Sequence, residues 1–224
     1  SMSHTGALVG SDVVFSTALS RSGVLRVESV SQLFAAAKVL SHSHYRVASD
    51  RLVIITNGGG PGVMAADRAT DRGIALSQLG PDTIAALNAV LPGVWSHGNP
   101  VDIIGDAPPE RYSKAVDICL ADPEVDGAII ILTPQAMTEP TRVAEEIIKS
   151  AEKSKKPILT SWMGGTQVEA ARRVLTEARI PDFNMLEDAV DAFSFIGKYK
   201  RNQRLLMQTP ARLTGDQASA DRHG

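Results

Sequence analysis

Leu52-Val53-Ile54-Ile55-Thr56 shows no alternation of apolar and polar residues, and it runs directly into Asn57-Gly58-Gly59-Gly60-Pro61-Gly62. A strand that is apolar toward both faces has to be covered on both, which is the condition of a parallel sheet sandwiched between helices. The spacing predicts a helix from the glycine turn to about Arg72, closed by Gly73 past its last turn. The same unit then recurs. Strands are expected at 74–79, 99–104, 128–132 and 158–162, with a short edge strand at 181–184. Helices are expected at 81–91, 109–121, 139–153, 166–178 and 186–207. Strand, turn and helix in regular succession predict an α/β fold, a flavodoxin-like doubly wound parallel sheet.

Ahead of this domain the pattern is less complete. Residues 10–22 read as a helix with Val13, Val14, Ala18 and Leu19 on one side, and Ser11 or Asp12 as its cap. Residues 24–27 read as a short strand. Residues 29–40 read as a second helix with Val30, Leu33 and Phe34 facing inward. The polar stretch Ser41-His42-Ser43-His44-Tyr45 marks the boundary, so residues 1–45 are expected to be the remnant of a second α/β domain and 51–207 the complete one. The tail 208–224 is polar and aperiodic and reads as a linker. Ser1-Met2 resembles an expression scar, and both ends look cut from a longer polypeptide.

Charge and cysteine usage remove several classes of function. The net charge of −2 gives no electrostatic footprint for nucleic acid or a membrane surface. No apolar run approaches the ~20 residues of a membrane span. The single cysteine, Cys119, lies in an apolar helical run, so no internal disulfide forms and a reducing, cytoplasmic setting is expected. Its position reads as a buried structural thiol rather than a nucleophile.

In a doubly wound sheet ligands bind at the carboxyl ends of the strands, where the 57–62 turn falls. Glycines let the backbone approach an anion, and the start of the next helix offers unpaired N–H groups and a positive dipole end. The candidate anion ligands are Asn57, Gly58, Gly59, Gly60, Gly62 and Val63; the alternative is a tight turn that binds nothing. The spacing is neither that of a dinucleotide fingerprint, since Val63 breaks it, nor that of a P-loop, since no Gly-Lys-Ser/Thr follows. Ser3-His4-Thr5-Gly6 is a second glycine-bearing turn before a helix, though a terminal histidine is by itself more often a surface residue. Asn99-Pro100-Val101-Asp102 precedes another helix, where Asn99 and Asp102 either orient a ligand or cap. Thr133-Pro134-Gln135 and Trp162-Met163-Gly164-Gly165 are expected along the same sheet edge. His42 and His44 lack the cysteines or carboxylates of a metal site, and no metal is expected.

Ser-His-Thr-Gly-x-x-x-Gly, then a strand ending in Asn-x-Gly-Gly-Pro-Gly, then Asn-Pro-Val-Asp, occur in that order between residues 3 and 102. The succession resembles the NDP-forming acyl-CoA synthetases, the acetate–CoA ligases related to succinyl-CoA synthetase, over residues 3–207. The resemblance implies that residues 1–45 end a CoA-ligase domain and that 51–207 is the flavodoxin-like domain. It implies that His4 is phosphorylated in turnover, with Thr5 and Gly6 beside it and the 57–62 turn facing it from a second helix. Acyl-CoA and phosphate would give acyl phosphate and CoA, His4 would take the phosphoryl group, and ADP would remove it as ATP. The Asn99 segment would match the Asn-Phe-Leu-Asp-Val-Gly-Gly-Gly segment of the succinyl-CoA synthetase β subunit, with Asp106 standing where that pattern has glycine. CoA, ATP or ADP and Mg are implied for the full-length enzyme and none for this piece. A CoA-binding domain, an ATP-grasp domain and the glutamate that orients the phosphohistidine are expected elsewhere in the polypeptide. Acyl-CoA, phosphate and nucleotide would be the partners, with a homodimer as the assembly.

Two other readings are open at this point. A synthetase-like region can serve as the regulatory part of a protein acetyltransferase. A generic flavodoxin-like module would bind FMN or act as a receiver, but aromatics are 4% and the first strand leads into glycines rather than an acidic cluster.

Overall fold

The computed structural model describes residues 11–41 and 50–208. The chain divides into two compact units, Val27–Lys198 and a smaller one that joins the chain up to Arg26 with the chain from Tyr199 on.

The larger unit is built on β1 (Leu52–Thr56), β2 (Val101–Asp102), β3 (Gly127–Leu132) and β4 (Ile158–Trp162), all parallel in the order β2-β1-β3-β4. Leu52 pairs with Gly127 and Ala128 with Ile158, and every residue of β1, β3 and β4 is buried. The apolar, non-alternating strands are therefore covered on both faces, as their sequences require. Val53, Ile55, Ala128, Ile130 and Ile158 share one core with α4 (Pro81–Val90), α5 (Pro109–Ala121), α6 (Pro140–Lys153) and α7 (Thr166–Glu177). Each of these four helices turns a stripe inward, Val143, Ala144, Ile147 and Ser150 in the case of α6. Alternation along the strands sends Leu52, Ile54, Ile129 and Ile131 to the opposite face. That side carries α3 (Gly59–Asp71) and α8 (Leu186–Leu206); Phe193 of α8 comes so close to the start of β3 that a Cβ on Gly127 would lie 2.6 Å from its ring.

Two expected strands shrink to single bridges, Leu76 beside Leu52 and Asp182 beside Thr160. The cause at Leu76 is visible. Leu52 N–H donates to Ala75 O and Ser77 N–H to Leu52 O, and the next rung is taken by a side chain. The Asn99 carboxamide donates to Leu52 O (2.8 Å) and Ser77 O (3.1 Å) and accepts from Ile54 N–H (3.0 Å). It substitutes for a strand partner and ends the pairing.

The start of the chain departs further from expectation. α2 (Val30–Leu40) buries Ala35, Ala36 and Val39, while Val30, Leu33 and Phe34 face solvent. The inward stripe is made of the smaller side chains, so side-chain bulk points to the wrong face. α2 belongs to the larger unit, where Lys38 Nζ donates to Asp182 O (2.7 Å) and stands 4.8 Å from the Phe183 ring centroid. The division at Arg26–Val27 thus differs from the boundary expected at 45–51. In the smaller unit, α1 (Asp12–Arg21) buries none of its residues, Val13 and Val14 included. Residues 24–27 form no strand; Val24 N–H bonds back to Leu19 O and Val24 O accepts from Asn202. Gly23 at φ +74 closes α1, and its carbonyl accepts from Gln203.

Asp191, 4% exposed, accepts two bonds from Arg68 (both 2.9 Å) and two from Arg72 (both 2.7 Å). Gln32 of α2 adds a contact at 3.4 Å, so one carboxylate ties α8 to α3 and α2. Burial alone would raise its pKa, but the Arg72 and Arg68 guanidiniums outweigh burial and hold it below the usual carboxylate range. Asp191→Ala leaves two arginines facing each other. It is expected to cost about 3 kcal/mol, the low end for a broken buried pair because the arginines are partly exposed. A folded-state pKa below the unfolded value of about 3.9 contributes stability above that value and loses it as pH falls through the folded one. Urea denaturation of both proteins at neutral pH and in acid should show the difference, and the difference should shrink in acid.

Candidate functional site

At the carboxyl edge of the sheet, Thr56 ends β1 and its hydroxyl lies 3.0 Å from both the N–H and the carbonyl of Gly58. That local bond holds Gly58 as the residue before α3. Asn57, 2% exposed, turns inward: its Nδ2 donates to Thr133 O (2.8 Å), and its Oδ1 accepts from Thr133 N–H (2.8 Å) and Oγ1 (2.9 Å). The carboxamide therefore locks the turn after β1 to the turn after β3. These turns lead to helices on opposite faces of the sheet, and the crevice between them is the switch point of a doubly wound fold.

The glycine turn is closely packed on one side and open on the other. A Cβ on Gly58 would sit 2.8 Å from Thr133 Oγ1, and one on Gly62 2.9 Å from Thr56 Cγ2. Gly59 and Gly60 are exposed, and no atom lies within 4 Å of a Cβ placed on Gly60. Gly62 N–H bonds to Gly58 O (3.2 Å), Val63 continues the helical ladder, and Pro61 has no N–H. Among the described residues the free donors are therefore Gly59 and Gly60. The expectation that Gly62 and Val63 donate to a ligand is corrected, because helix formation uses their N–H groups. Asn57 and Gly58 likewise shape the turn, their polar groups already being engaged.

Asp102 and Asn99 separate in role. Asn99 is turned to the backbone of β1 at Leu52 and Ile54, away from the glycine turn. Asp102 ends β2 beside β1 and brings its carboxylate to the turn: Oδ2 is 3.1 Å from where a Gly59 Cβ would be. Oδ1 accepts from Ile104 N–H (2.9 Å), which holds a β-branched residue at φ +71. Ser96 Oγ supports the segment by accepting from Asp102 N–H (2.9 Å) and donating to Pro100 O (2.6 Å). Gly105 passes near Asn57 O and the Gln135 side chain. Beyond Gln135 a groove of about 390 Å³ is lined by Pro134, Gln135, Thr138 and Gln167, and Gly164 packs against Pro134.

Two neighbours carry no sequence signal. Arg111 donates to Ile103 O (3.1 Å) and Asp106 (2.6 Å), so its charge is spent beside the turn. Tyr112 is fully buried with its hydroxyl lacking a hydrogen-bond partner, and burial, then the Asp102 charge, push its pKa up. Cys119 is buried and pushed up to about 12 by burial and then by Asp122, which fits a structural thiol. His97 ring nitrogens lie 3.0 Å from Asn88 Oδ1 and 3.1 Å from Gly93 O. His4, Thr5, Gly6, His42 and His44 lie outside the described residues. Among the described residues no group of three His, Cys, Asp or Glu is placed to hold a metal, and no helix is long and apolar enough to cross a membrane.

The model of the Ligase-CoA domain matches residues 52–206. The chain belongs to that family. A second model, the succinyl-CoA ligase like flavodoxin domain, matches residues 1–40. The two descriptions fall in the opposite order from the domain names expected from the motifs. The chain is 39% identical over 89% of its length to an ADP-forming acetate–CoA ligase I of Archaeoglobus fulgidus, and 36% identical over 89% to the α subunit of the corresponding Pyrococcus furiosus enzyme. It spans 28% and 43% of those relatives. A 4-hydroxybutyrate–CoA ligase (ADP-forming) of Nitrosopumilus maritimus is 33% identical over 84% of the chain, which covers 27% of it. Among solved structures, the "dinucleotide forming" acetyl-coenzyme A synthetase 1 of Ca. Korarchaeum cryptofilum, in complex with phosphate and ADP, superposes with a TM-score of 0.85. It is 32% identical over 95% of this chain and 46% of that one.

The family assignment leaves the role of Asn99 to geometry. Asn99→Ala removes the acceptor of Ile54 N–H and the donor to Ser77 O inside the sheet. At roughly 1–3 kcal/mol for each buried group left unpaired, the variant should lose about 3 kcal/mol in urea denaturation.

Proposed function

We propose that the chain is the phosphoryl-handling part of an NDP-forming acyl-CoA synthetase. The full-length protein would interconvert acyl-CoA, ADP and phosphate with carboxylic acid, CoA and ATP. The observation that carries the reading is the glycine turn at the switch point, with two free N–H donors on a helix start, in a chain related to ADP-forming ligases. His4 would be the residue phosphorylated, with Thr5 and Gly6 next to it in sequence. Gly59 and Gly60 would offer N–H groups to the phosphoryl oxygens from α3, while Asn57, Gly58 and Gly62 shape the turn.

The chemistry suits these parts. A neutral imidazole nitrogen is nucleophilic near pH 7, and its phosphoramidate keeps a high transfer potential. Phosphoryl transfer asks the protein for position and charge stabilisation, and a helix start supplies both at about 0.3–1 kcal/mol when exposed. Nucleotide and Mg would be held by an ATP-grasp domain, CoA by its own domain, both outside this chain. A homodimeric, cytoplasmic enzyme is the setting this reading implies.

His4→Asn in the full-length protein should abolish both partial reactions that pass through the phosphoenzyme and leave CoA binding intact. Rapid-quench labelling with radioactive ATP should show an acid-labile, base-stable label in the wild type and none in the variant. Absence of that label from wild type, or ATP formation at a normal rate by the variant, would refute the assignment.

A further inference from the structure

The helix α2 is apolar on two sides. Ala35, Ala36 and Val39 are buried within the larger unit, while Val30, Leu33 and Phe34 form a second stripe that is 69%, 54% and 70% exposed. Residues three and four apart are neighbours on a helix surface, so the three make one patch. A helix that is apolar on both sides belongs between two layers, and exposed clusters of large apolar side chains mark interaction surfaces. The patch is not a frayed end. Ser29 caps α2 by accepting from Gln32 N–H (3.1 Å), and the Gln32 carboxamide accepts in return from Glu28 N–H (2.8 Å). Beside the stripe lies a hollow of about 200 Å³ with Phe34, Ala35 and Phe183 in its walls, the shape that receives a partner's side chain.

We propose that Val30, Leu33 and Phe34 are the docking surface for the rest of the succinyl-CoA ligase like flavodoxin domain, carried elsewhere on the same polypeptide, and that α2 is a helix shared by the two domains. The match to that domain runs over residues 1–40 and closes on Leu40, the last residue of α2. A flavodoxin-like domain is a parallel sheet with helices on both faces. The described part of the match, 11–40, holds two helices and no strand. A helix of such a domain lays its large apolar side chains on the sheet, as Val143 and Ile147 of α6 do within the larger unit. In α2 the large side chains are those of the outer stripe, and the inner one is mostly alanine. The chain spans 43% of the Pyrococcus furiosus α subunit, which leaves that relative more than enough further polypeptide for a sheet. A second copy of this chain would bring the stripe against another helix and supply no sheet. The sharing has a mechanical consequence. Gln32 of α2 reaches Asp191, and Asp191 also holds Arg68 and Arg72 of α3. A domain seated on α2 is thereby tied to the helix that begins at the glycine turn.

Hydroxyl-radical footprinting, read by mass spectrometry, compares Leu33 and Phe34 in this chain and in the full-length protein. Both side chains should oxidise readily in this chain and several-fold more slowly in the full-length protein; equal rates overturn the proposal. A benzophenone photocrosslinker placed at position 34 of the full-length protein then identifies the cover. Crosslinks to the segment of the polypeptide that matches the succinyl-CoA ligase like flavodoxin domain are expected, and crosslinks confined to any other segment overturn the proposal. Sedimentation velocity of this chain over a range of concentrations, with the footprint repeated at each, tests the rival occupant. A dimer that protects Leu33 and Phe34 assigns the stripe to a second copy and overturns the proposal as well. Finally, Leu33→Ser combined with Phe34→Ser should leave the melting temperature of this chain near that of its parent and lower that of the full-length protein. An equal change in the two proteins counts against a shared helix. None of these readouts uses turnover, so they succeed or fail independently of the phosphohistidine reading.

Discussion

Two asparagine carboxamides set the limits of β1, and the rest of the larger unit is arranged around them. A strand buried on both faces has no access to water, so each of its N–H and carbonyl groups needs a partner within the protein. Asn99 provides partners along the edge where pairing with Leu76 stops, and Asn57 provides them past the end, across to Thr133. Both are side chains that imitate a peptide group, with a donor nitrogen and an acceptor oxygen held in a plane. Because Asn57 spans the turns after β1 and β3, the crevice between the two helix layers has a fixed width. The site is therefore placed by sheet satisfaction before any ligand is considered.

The same sheet has a different kind of lock on its other face. Asp191 with Arg68 and Arg72 fastens α8 against α3, at the far end of the helix whose start forms the glycine turn. Arg68 and Arg72 stand one turn apart near the end of α3, where positive side chains also suit the negative end of the helix dipole. α3 is thus anchored by charge at its carboxyl end and by packing of Gly58 and Gly62 at its start. A helix fixed at both ends keeps its free N–H groups in one place, which is what a transient anion site needs.

The alternation of strands and helices was legible because burial on both faces writes itself as a continuous apolar run, and 52–55 and 128–132 carry such runs. The glycine turn was legible for a similar reason, since few structures tolerate four glycines in six residues without a close approach. What failed were inferences that needed to know a partner. Val30, Leu33 and Phe34 have the size of core residues, yet Ala35, Ala36 and Val39 are the ones covered. The strand expected at 74–79 failed because a side chain 22 residues from Ser77 in sequence occupies its next rung. Asn99 and Asp102 could not be told apart in sequence, three residues apart in one motif, and only their opposite directions in space separate a clamp on the sheet from a charge at the turn.

The glycines of the turn make the same distinction on a smaller scale. Gly58 and Gly62 are required by their neighbours, Thr133 Oγ1 and Thr56 Cγ2, and would be glycine in a turn that bound nothing. Gly59 is limited by the Asp102 carboxylate, a looser constraint of 3.1 Å. Gly60 meets nothing within 4 Å among the described residues, whose packing gives no reason for it, and at an exposed helical position glycine is worse than alanine by roughly 0.5–1 kcal/mol. A residue that costs stability and touches nothing is best accounted for by something that comes to it.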